Sequence, residues 1–580
     1  MRFLTIFALA IGHSVTALEC HSDPILPPAR NLGQSEAFQN ALSGLTQKLD
    51  AAAKGDILAG WDINNTSMSV GIVSFDQENP NVPIWEYHHL APGNVNGTKR
   101  VDKNSQYLIG SVSKVITDAL VLRSGVDIDE PVTSFIPQLA GESLIQWGDI
   151  ALRDLAEQLA GIPTNYGFSE YYYINFYFEL LGFPPVENSS YPPCGVIGLN
   201  KGCSKDELLQ GLLASYPTTT PQTHPVYSNV AFTLLSYALT ARTNTSYADL
   251  LSTLLTTPLG MSSTSPDPGN DSLAVIPPVS NSWGSTYGDS APGGGLVSTL
   301  SDLSVFLHAI LTRAPALGLS ERAVQEWLKP RSFTGSRSSF VGTPWEIFRP
   351  EPELLFPDGE GHTVTIHGKG GGAYGYASWV GLVEEYGLGV VVLTAGGENA
   401  VAIVQNAVLS TLIPIADRVA REQAAARYAG VWEGSGLNAT VEVDGEGLKI
   451  TGLWREGKDM LQAIREIWAV TANEWLPSTL GETYRAFPAM VEKQGVMGGR
   501  EVVREDWRLQ WDVRLALESE LPGARLAGND CLSWTLVDWL HYGSEPIDRI
   551  VFVKDAVTGE VIGLDVPFLR TGVLEKVGGL

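Results

Sequence analysis

The stretch YLIGSVSKVITDALV, residues 107–121, sets Ser111 and Lys114 three positions apart, with Gly110 just before the serine. On a helix, residues at i and i+3 share a face. A helix start leaves backbone N–H groups free, and its dipole favours negative charge there. A serine so placed becomes a nucleophile if a neighbour takes its proton. A buried lysine, its ammonium form disfavoured by desolvation, is such a neighbour. Ser-x-x-Lys alone is a weak signal, because the spacing arises by chance in long chains. Here it occurs once, after an apolar run and a glycine.

A partner proton carrier is the next requirement. Tyr-x-Asn occurs twice, as Tyr173-Ile174-Asn175 and Tyr227-Ser228-Asn229. A tyrosine beside a lysine can shuttle a proton, and an amide can hold a substrate carbonyl. The first copy lies in SEYYYINFYFELLGF, which reads as an apolar helix in the core or a pocket wall. The second lies in HPVYSNVAFTLLSYAL, a loop running into a helix, where an exposed phenol is expected. A third element is HGKGGGAYGYASW. It puts Lys369, Gly370, Gly371 and Gly372 on an expected edge strand facing a crevice. Glycines there let a substrate lie against the backbone. A backbone N–H of the run can join that of Ser111 as an oxyanion hole, and Lys369 adds a positive field. The order Gly-x-x-x-x-Gly-Lys-Ser/Thr of a phosphate-binding loop is absent. His362 and His367 stand close by, but no Ser-His-Asp order accompanies them, and they read as structural.

The elements that must position these groups follow from periodicity. SEAFQNALSGLTQKL puts Phe38, Leu42, Leu45 and Leu49 on one helical face. SMSVGIVSF and IWEYHHLAP read as a hairpin. Residues 125–330 read as mostly helical with long loops. They include DLLSTLLTTPLGM, ended by Pro258 and Gly260, and a helix opened by Thr299 and Asp302 in a capping-box pattern. HTVTIHGKG, YASWVGLVEE and GLGVVVLTAGG read as three successive strands, the last two joined near Tyr386-Gly387, and NAVAIVQNAVLSTLIPIADRVA as a closing helix. Beyond residue 428, hairpins turning at Asp444-Gly445 and Thr558-Gly559 bracket Trp507, Trp511, Trp534 and Trp539. The expected fold class is α+β: an antiparallel sheet flanked by helices, with a helical lobe, followed by an antiparallel all-β domain, barrel-like. The expected division is a signal peptide over 1–17, a catalytic domain over 18–427 and a β domain over 428–580.

Bulk properties narrow the partners. The 580 residues carry a formal net charge of −26, which argues against nucleic acid and anionic membranes, and 44% hydrophobic residues allow a large core. MRFLTIFALAIGHSVTA reads as a secretory signal cut after Ala17. No later apolar run reaches the ~20 residues of a membrane span. Sequons at Asn64, Asn65, Asn96, Asn188, Asn244, Asn270 and Asn438 agree with export. Cys194 and Cys203 close a short loop and are expected to pair. Cys20 with Cys531 is the remaining combination, two free buried thiols the alternative. Neither pair has metal-site spacing, so no metal and no cofactor are expected.

Taken in order, Ser-x-x-Lys, Tyr-x-Asn and Lys-Gly-Gly resemble the serine β-lactamase and penicillin-binding-protein superfamily, with its Ser-x-x-Lys, Tyr-x-Asn or Ser-Asp-Asn, and Lys-Thr-Gly motifs. The tyrosine form is similar to the class C β-lactamase and D-aminopeptidase/esterase branch. VDIDEPVTSFIP, DIALRDLAEQLAGIP, PLGMSSTS and GGGLVSTLSDLSVFL also resemble it, so the likeness covers about residues 60–415. The leader and β tail resemble fungal secreted members with an extra C-terminal domain. In that branch the tyrosine follows the serine by roughly a hundred residues, which selects Tyr227 over Tyr173. The resemblance implies Ser111 as acylated nucleophile and Lys114 with Tyr227 as base and acid. Asn229, Lys369, Gly371 and Gly372 are the implied substrate contacts, and the N–H groups of Ser111 and Gly372 the implied oxyanion hole. Two departures stand out. Gly370 replaces a threonine that helps bind a β-lactam carboxylate, and residues 165–203 form a long aromatic insertion. The insertion is either the wall of a broad apolar pocket or a glycosylated, disulfide-tied surface lobe. The implied function is a secreted serine hydrolase of a small ester or amide. An acyltransferase of a secondary-metabolite pathway, and an inactive binding protein on this fold, are the alternatives.

Overall fold

The computed structural model describes residues 24–196, 198–266, 268–359, 361–397, 399–471, 478–515, 521–522 and 532–579. The expected signal peptide, Cys20 and Cys531 lie outside the described residues. By internal contacts the chain divides into two units. One is Ala29–Gly359 with Thr363–Asp417. The other is the described part of Met1–Pro28, Glu360–His362 and Arg418–Leu580.

The first unit is built on eight antiparallel strands: β1 (Ser67–Ser74), β2 (Trp85–His89), β3 (Ser332–Phe333), β4 (Ser339–Val341), β5 (Glu346–Phe348), β6 (Ile366–Ala373), β7 (Tyr376–Val383) and β8 (Leu388–Ala395). They lie in the order β2-β1-β8-β7-β6-β5-β4-β3. The expected hairpin and three-strand run are therefore present, with Met68 facing His89 and Ala373 facing Tyr376. Strands β1, β7 and β8 are buried along their whole length, so the centre of the sheet is covered on both faces. The helices that do this, or build the lobe beside it, are α1 (Glu36–Lys54), α2 (Ser113–Ser124), α3 (Val230–Thr243), α4 (Leu300–Leu311) and α5 (Asn399–Tyr428).

Local chemistry sets their ends. The Ser35 hydroxyl caps α1 by accepting from the Phe38 N–H, and Phe38, Leu42, Leu45 and Leu49 form its buried face. Thr299 caps α4 through the Asp302 N–H at 3.1 Å. The Asp302 carboxylate turns elsewhere and accepts from Ser263 N–H and Thr264 Oγ1, so the box is one-sided. In DLLSTLLTTPLGM the helix runs through a π turn at Ser252–Thr256, and Pro258 sits inside the last turn. Gly260, at φ 75°, ends it alone. Helices α2 and α3 are largely buried on every side, with Lys114, Thr117 and Asp118 enclosed among the apolar residues of α2. Helix α5 is long and apolar enough to cross a membrane by length and composition, which the run-length reading missed. Its residues Ala400, Val404, Val408, Leu412 and Ala416 form a buried stripe of period four, the pattern of a core helix.

The second unit is a closed antiparallel barrel. Its strands are β9 (Gly430–Gly434), β10 (Leu437–Asp444), β11 (Gly447–Arg455), β12 (Lys458–Asp459), β13 (Ser478–Met497), β14 (Arg500–Leu515), β15 (Arg549–Asp555), β16 (Val561–Asp565) and β17 (Val573–Gly578). They run β10-β9-β17-β16-β15-β14-β13-β11-β12, and a further β10–β11 pairing closes the ring. Trp507 is packed inside against Tyr428 and Phe552, and Trp511 against Trp468; Trp534 and Trp539 are exposed.

One buried acid sits on α2. Asp118 accepts from Trp327 Nε1 at 2.6 Å and its other oxygen has no partner among the described residues. Burial pushes its carboxyl well above the usual range. A carboxyl protonated in the fold and ionised in the unfolded chain makes stability fall as pH rises above the unfolded value. Asp118→Asn, which keeps the acceptor and cannot ionise, is expected to raise the thermal midpoint at pH 8 by about 2 °C or more and to change it less at pH 4. Equal shifts at both pH values in a thermal melt would contradict this.

Candidate active site

Three chain segments converge on the Lys114 amine. Ser111 lies in a 3-10 turn, Gly110–Val112, that leads into α2 and puts its hydroxyl 3.0 Å from Lys114 Nζ. Asn229 caps α3 from the far side, its Oδ1 2.7 Å from Nζ. The Gly293 carbonyl is the third partner. Lys114 has no exposed surface, and its stem is enclosed by the apolar residues of α2 and α3. Burial lowers its pKa well below that of an ordinary lysine, the Lys369 charge lowers it further, and Glu346 opposes them. An uncharged amine has two N–H bonds and one lone pair. The two carbonyl oxygens take the hydrogens, which leaves the lone pair for the Ser111 hydroxyl.

The nucleophile is held against β6 by backbone contact. Gly110 has φ 48°, and a Cβ there would lie 2.5 Å from the Gly372 nitrogen. A Cβ at Gly371 would lie 2.2 Å from the Ile109 carbonyl oxygen and 2.9 Å from the Val112 nitrogen. Both positions therefore require glycine for the serine turn and the strand to touch. The strand is not the edge strand expected. It is interior, between β7 and β5, but β5 pairs with it only from Ile366 to Gly368, so its second half is an open edge. The Gly370 N–H points across that edge to Glu346 Oε2 at 2.9 Å. Backbone N–H direction alternates along a strand, so the N–H of Gly372, an exposed residue, points the same way. The serine turn, whose Gly110 packs on Gly372, thus lies beside the same opening.

Lys369 is buried on the face of β6 turned toward the serine. Its Nζ lies 2.5 Å from Glu346 Oε1 and 2.8 Å from the Gly370 carbonyl oxygen. The Tyr227 ring sits between the amines, its centroid 4.9 Å from Lys114 Nζ and 5.2 Å from Lys369 Nζ. Tyr227 is 38% exposed, and with Glu346, His224 and Trp345 it lines a cleft of about 570 Å³.

Ser111, Lys114, Tyr227, Asn229, Lys369, Gly371 and Gly372 are therefore all brought together. Two expectations need correction. The positive field of Lys369 is opposed by the Glu346 carboxylate, which pairs with its Nζ. The stretch around Tyr173 is not core: Tyr173, Phe176, Tyr177 and Leu180 are exposed. The insertion is a surface lobe tied by the Cys194–Cys203 disulfide. His367 is buried, its Nε2 2.8 Å from the Leu328 carbonyl oxygen, which fits a structural residue. Three participants escaped the sequence reading. Gly293 belongs to a second glycine run, a usable signal. Asn165, whose Oδ1 accepts from Asn229 Nδ2 at 2.9 Å, and Glu346 carry no motif. Among the described residues no cluster of His, Cys, Asp or Glu is placed to hold a metal ion.

Residues 84–410 match the family model described as Beta-lactamase, and residues 420–577 match the one described as "Beta-lactamase-like-like, C-terminal domain". A "Beta-lactamase-like protein" of Arthroderma benhamiae is 41% identical, covering 96% of both chains. A "Probable hydrolase M10" of Phoma sp. is 27% identical over 97% of this chain and 92% of its own. A solved class C β-lactamase of Rhodobacter sphaeroides is 19% identical, with a TM-score of 0.46, and matches over 65% of this chain and 99% of its own.

The charges around Lys114 set a pH dependence. With an amine that must be uncharged to accept a proton, kcat/KM for an activated ester falls as pH drops through the Lys114 pKa. Lys369→Met removes a repelling charge and is expected to move this acidic limb up by on the order of 1 pH unit. Glu346→Gln is expected to move it down. Limbs that stay in place, or move in the opposite senses, in a pH–rate profile would contradict the assignment.

Proposed function

Because the chain belongs to the β-lactamase-like hydrolase family, we propose that it hydrolyses a small ester or amide through an acyl-enzyme on Ser111. The observation that carries this reading is the buried Lys114 amine, held by Asn229 Oδ1 and the Gly293 carbonyl with the Ser111 hydroxyl as its third partner. Ser111 Oγ attacks the carbonyl carbon while its proton passes to Lys114. The oxygen that gains charge is met by the N–H groups of Ser111 and Gly372. The bond to the leaving group then breaks, and Tyr227, beside both amines, relays the proton to the departing oxygen or nitrogen. Water takes the place of the leaving group, the same groups run in reverse, and the acid is released. Asn229 acts first as the group that orients Lys114; Asn165 in turn holds its amide.

Hydrolysis rather than transfer to another acceptor is supported by the open site: Tyr227 is over a third exposed and Ser111 is half-buried, so water reaches the acyl carbon. Export is part of the proposal. Exposed sequon residues Asn64, Asn96, Asn188, Asn244 and Asn270, together with a disulfide, suit an oxidising, glycosylating compartment.

Ser111→Ala is expected to abolish covalent labelling by a fluorophosphonate probe in a protein that still melts cooperatively; persistent labelling would place the nucleophile elsewhere. Lys114→Ala is expected to lower ester turnover by at least ~100-fold. Tyr227→Phe is expected to cripple turnover and Tyr173→Phe to leave it intact. Near-normal rates for Lys114→Ala or Tyr227→Phe would remove that residue from the mechanism.

A further inference from the structure

Glu346 occupies the place where Lys369 would otherwise present positive charge to a substrate. It opens β5, between buried Trp345 and Ile347, and its side chain enters the cleft beside Tyr227. One carboxylate oxygen is bound to Lys369 Nζ at 2.5 Å, and the other accepts the Gly370 N–H at 2.9 Å. Lys369 is 2% exposed and the Glu346 side chain 52%, so the charge that faces the cleft here is negative. Both groups that could hold an anion on this side are already satisfied by the protein's own carboxylate.

The substrate's orientation follows from the same strand. The N–H groups of Gly370 and Gly372 lie on one edge, two residues and so roughly 6.7 Å apart. The carbonyl under attack sits at the Gly372 end, against Ser111. Tyr227, which must hand a proton to the leaving atom, reaches Lys369 and lines the same cleft as Glu346. The leaving group therefore runs from the carbonyl toward Gly370 and Glu346, and the acyl group runs the other way. A carboxylate on the leaving group that reaches the Gly370 end of this edge would meet Glu346 with no free counter-charge. Gly370 contributes no side-chain hydroxyl there, and a Cβ on it would stand 3.5 Å from Glu346 Oε2.

We propose that Glu346 is a specificity-determining residue. It makes the leaving-group subsite reject alcohols and amines that carry a carboxylate, which excludes β-lactams and peptide C-termini, and accept esters or amides whose leaving group is uncharged. The inference rests on the acyl-enzyme reading and deepens it. The reaction needs no partner beyond water: the carbonyl–oxygen bond breaks, the Ser111 ester forms, and the departing alkoxide leaves with the proton taken from the serine.

The test uses a matched pair of phenyl acetates, 3-acetoxybenzoate and its methyl ester, with the full-length protein. The wild type is expected to favour the methyl ester in kcat/KM by roughly 10- to 100-fold after correction for their spontaneous hydrolysis. Glu346→Gln is expected to bring the ratio within about 3-fold, whatever happens to the absolute rates. Glu346→Ala, which uncovers Lys369, is expected to move it at least as far. A wild-type ratio near one, or a ratio unchanged in both variants, overturns the proposal. If neither ester is turned over, 3-acetoxybenzoate and its methyl ester are themselves compared as protectors of Ser111 against the fluorophosphonate. Preferential protection by the methyl ester, lost in Glu346→Gln, supports the proposal; equal protection overturns it. Failure of the acyl-enzyme reading shows itself separately, as labelling that survives Ser111→Ala.

Discussion

The active site depends on one amine kept out of water. A lysine without exposed surface would ordinarily be a cost to the fold, because its ammonium form loses hydration. Here the loss is the working principle. Desolvation and a second lysine bias Lys114 toward the uncharged form, and two carbonyl oxygens use up the hydrogens of that form. A lone pair directed at a hydroxyl is what remains. The geometry is assembled from the 3-10 turn before α2, the cap of α3 and the turn at Gly293. The lobe's largest buried helices therefore serve the orientation of a single nitrogen. The apolar residues that bury them are as much part of the mechanism as the polar atoms.

The second constraint is the distance between that lobe and the sheet. Backbone meets backbone where Gly110 and Gly371 cross, and this contact brings the N–H of an exposed strand residue beside the serine turn. The strand can offer that group only because β5 stops pairing at Gly368. A longer β5 would consume the edge. The first side chain of β5 is Glu346, so the residue at which the partner strand stops also sets the charge of the opening.

The polar residues of the site were legible because chemistry restricts them to short motifs. Ser111 and Lys114 read from helical spacing, and the Tyr227 pair from its place at a helix start. The amphipathic face of α1, the hairpins and the closing helix α5 read from period and caps. Where period fails, so did the reading. The aromatic run around Tyr173 has core composition but no core to enter, and hydropathy alone does not record that. The strand carrying Lys369 looked like an edge because its glycines do, whereas pairing with β5 involves residues distant in sequence. Glu346 is a solitary acid in an alternating strand, a pattern identical to an ordinary solvated position. Only the approach of β6 gives it meaning. Gly293 contributes a carbonyl, and a carbonyl has no side-chain signature.

The central claim, an uncharged Lys114 in the resting protein, is open to direct observation without any substrate. In protein labelled with 13C and 15N at lysine, the Nζ signal lost in Lys114→Met can be followed from pH 5 to pH 10. An amine resonance at pH 8 is expected, with a midpoint well below that of an ordinary lysine. An ammonium signal persisting through pH 9 would contradict it.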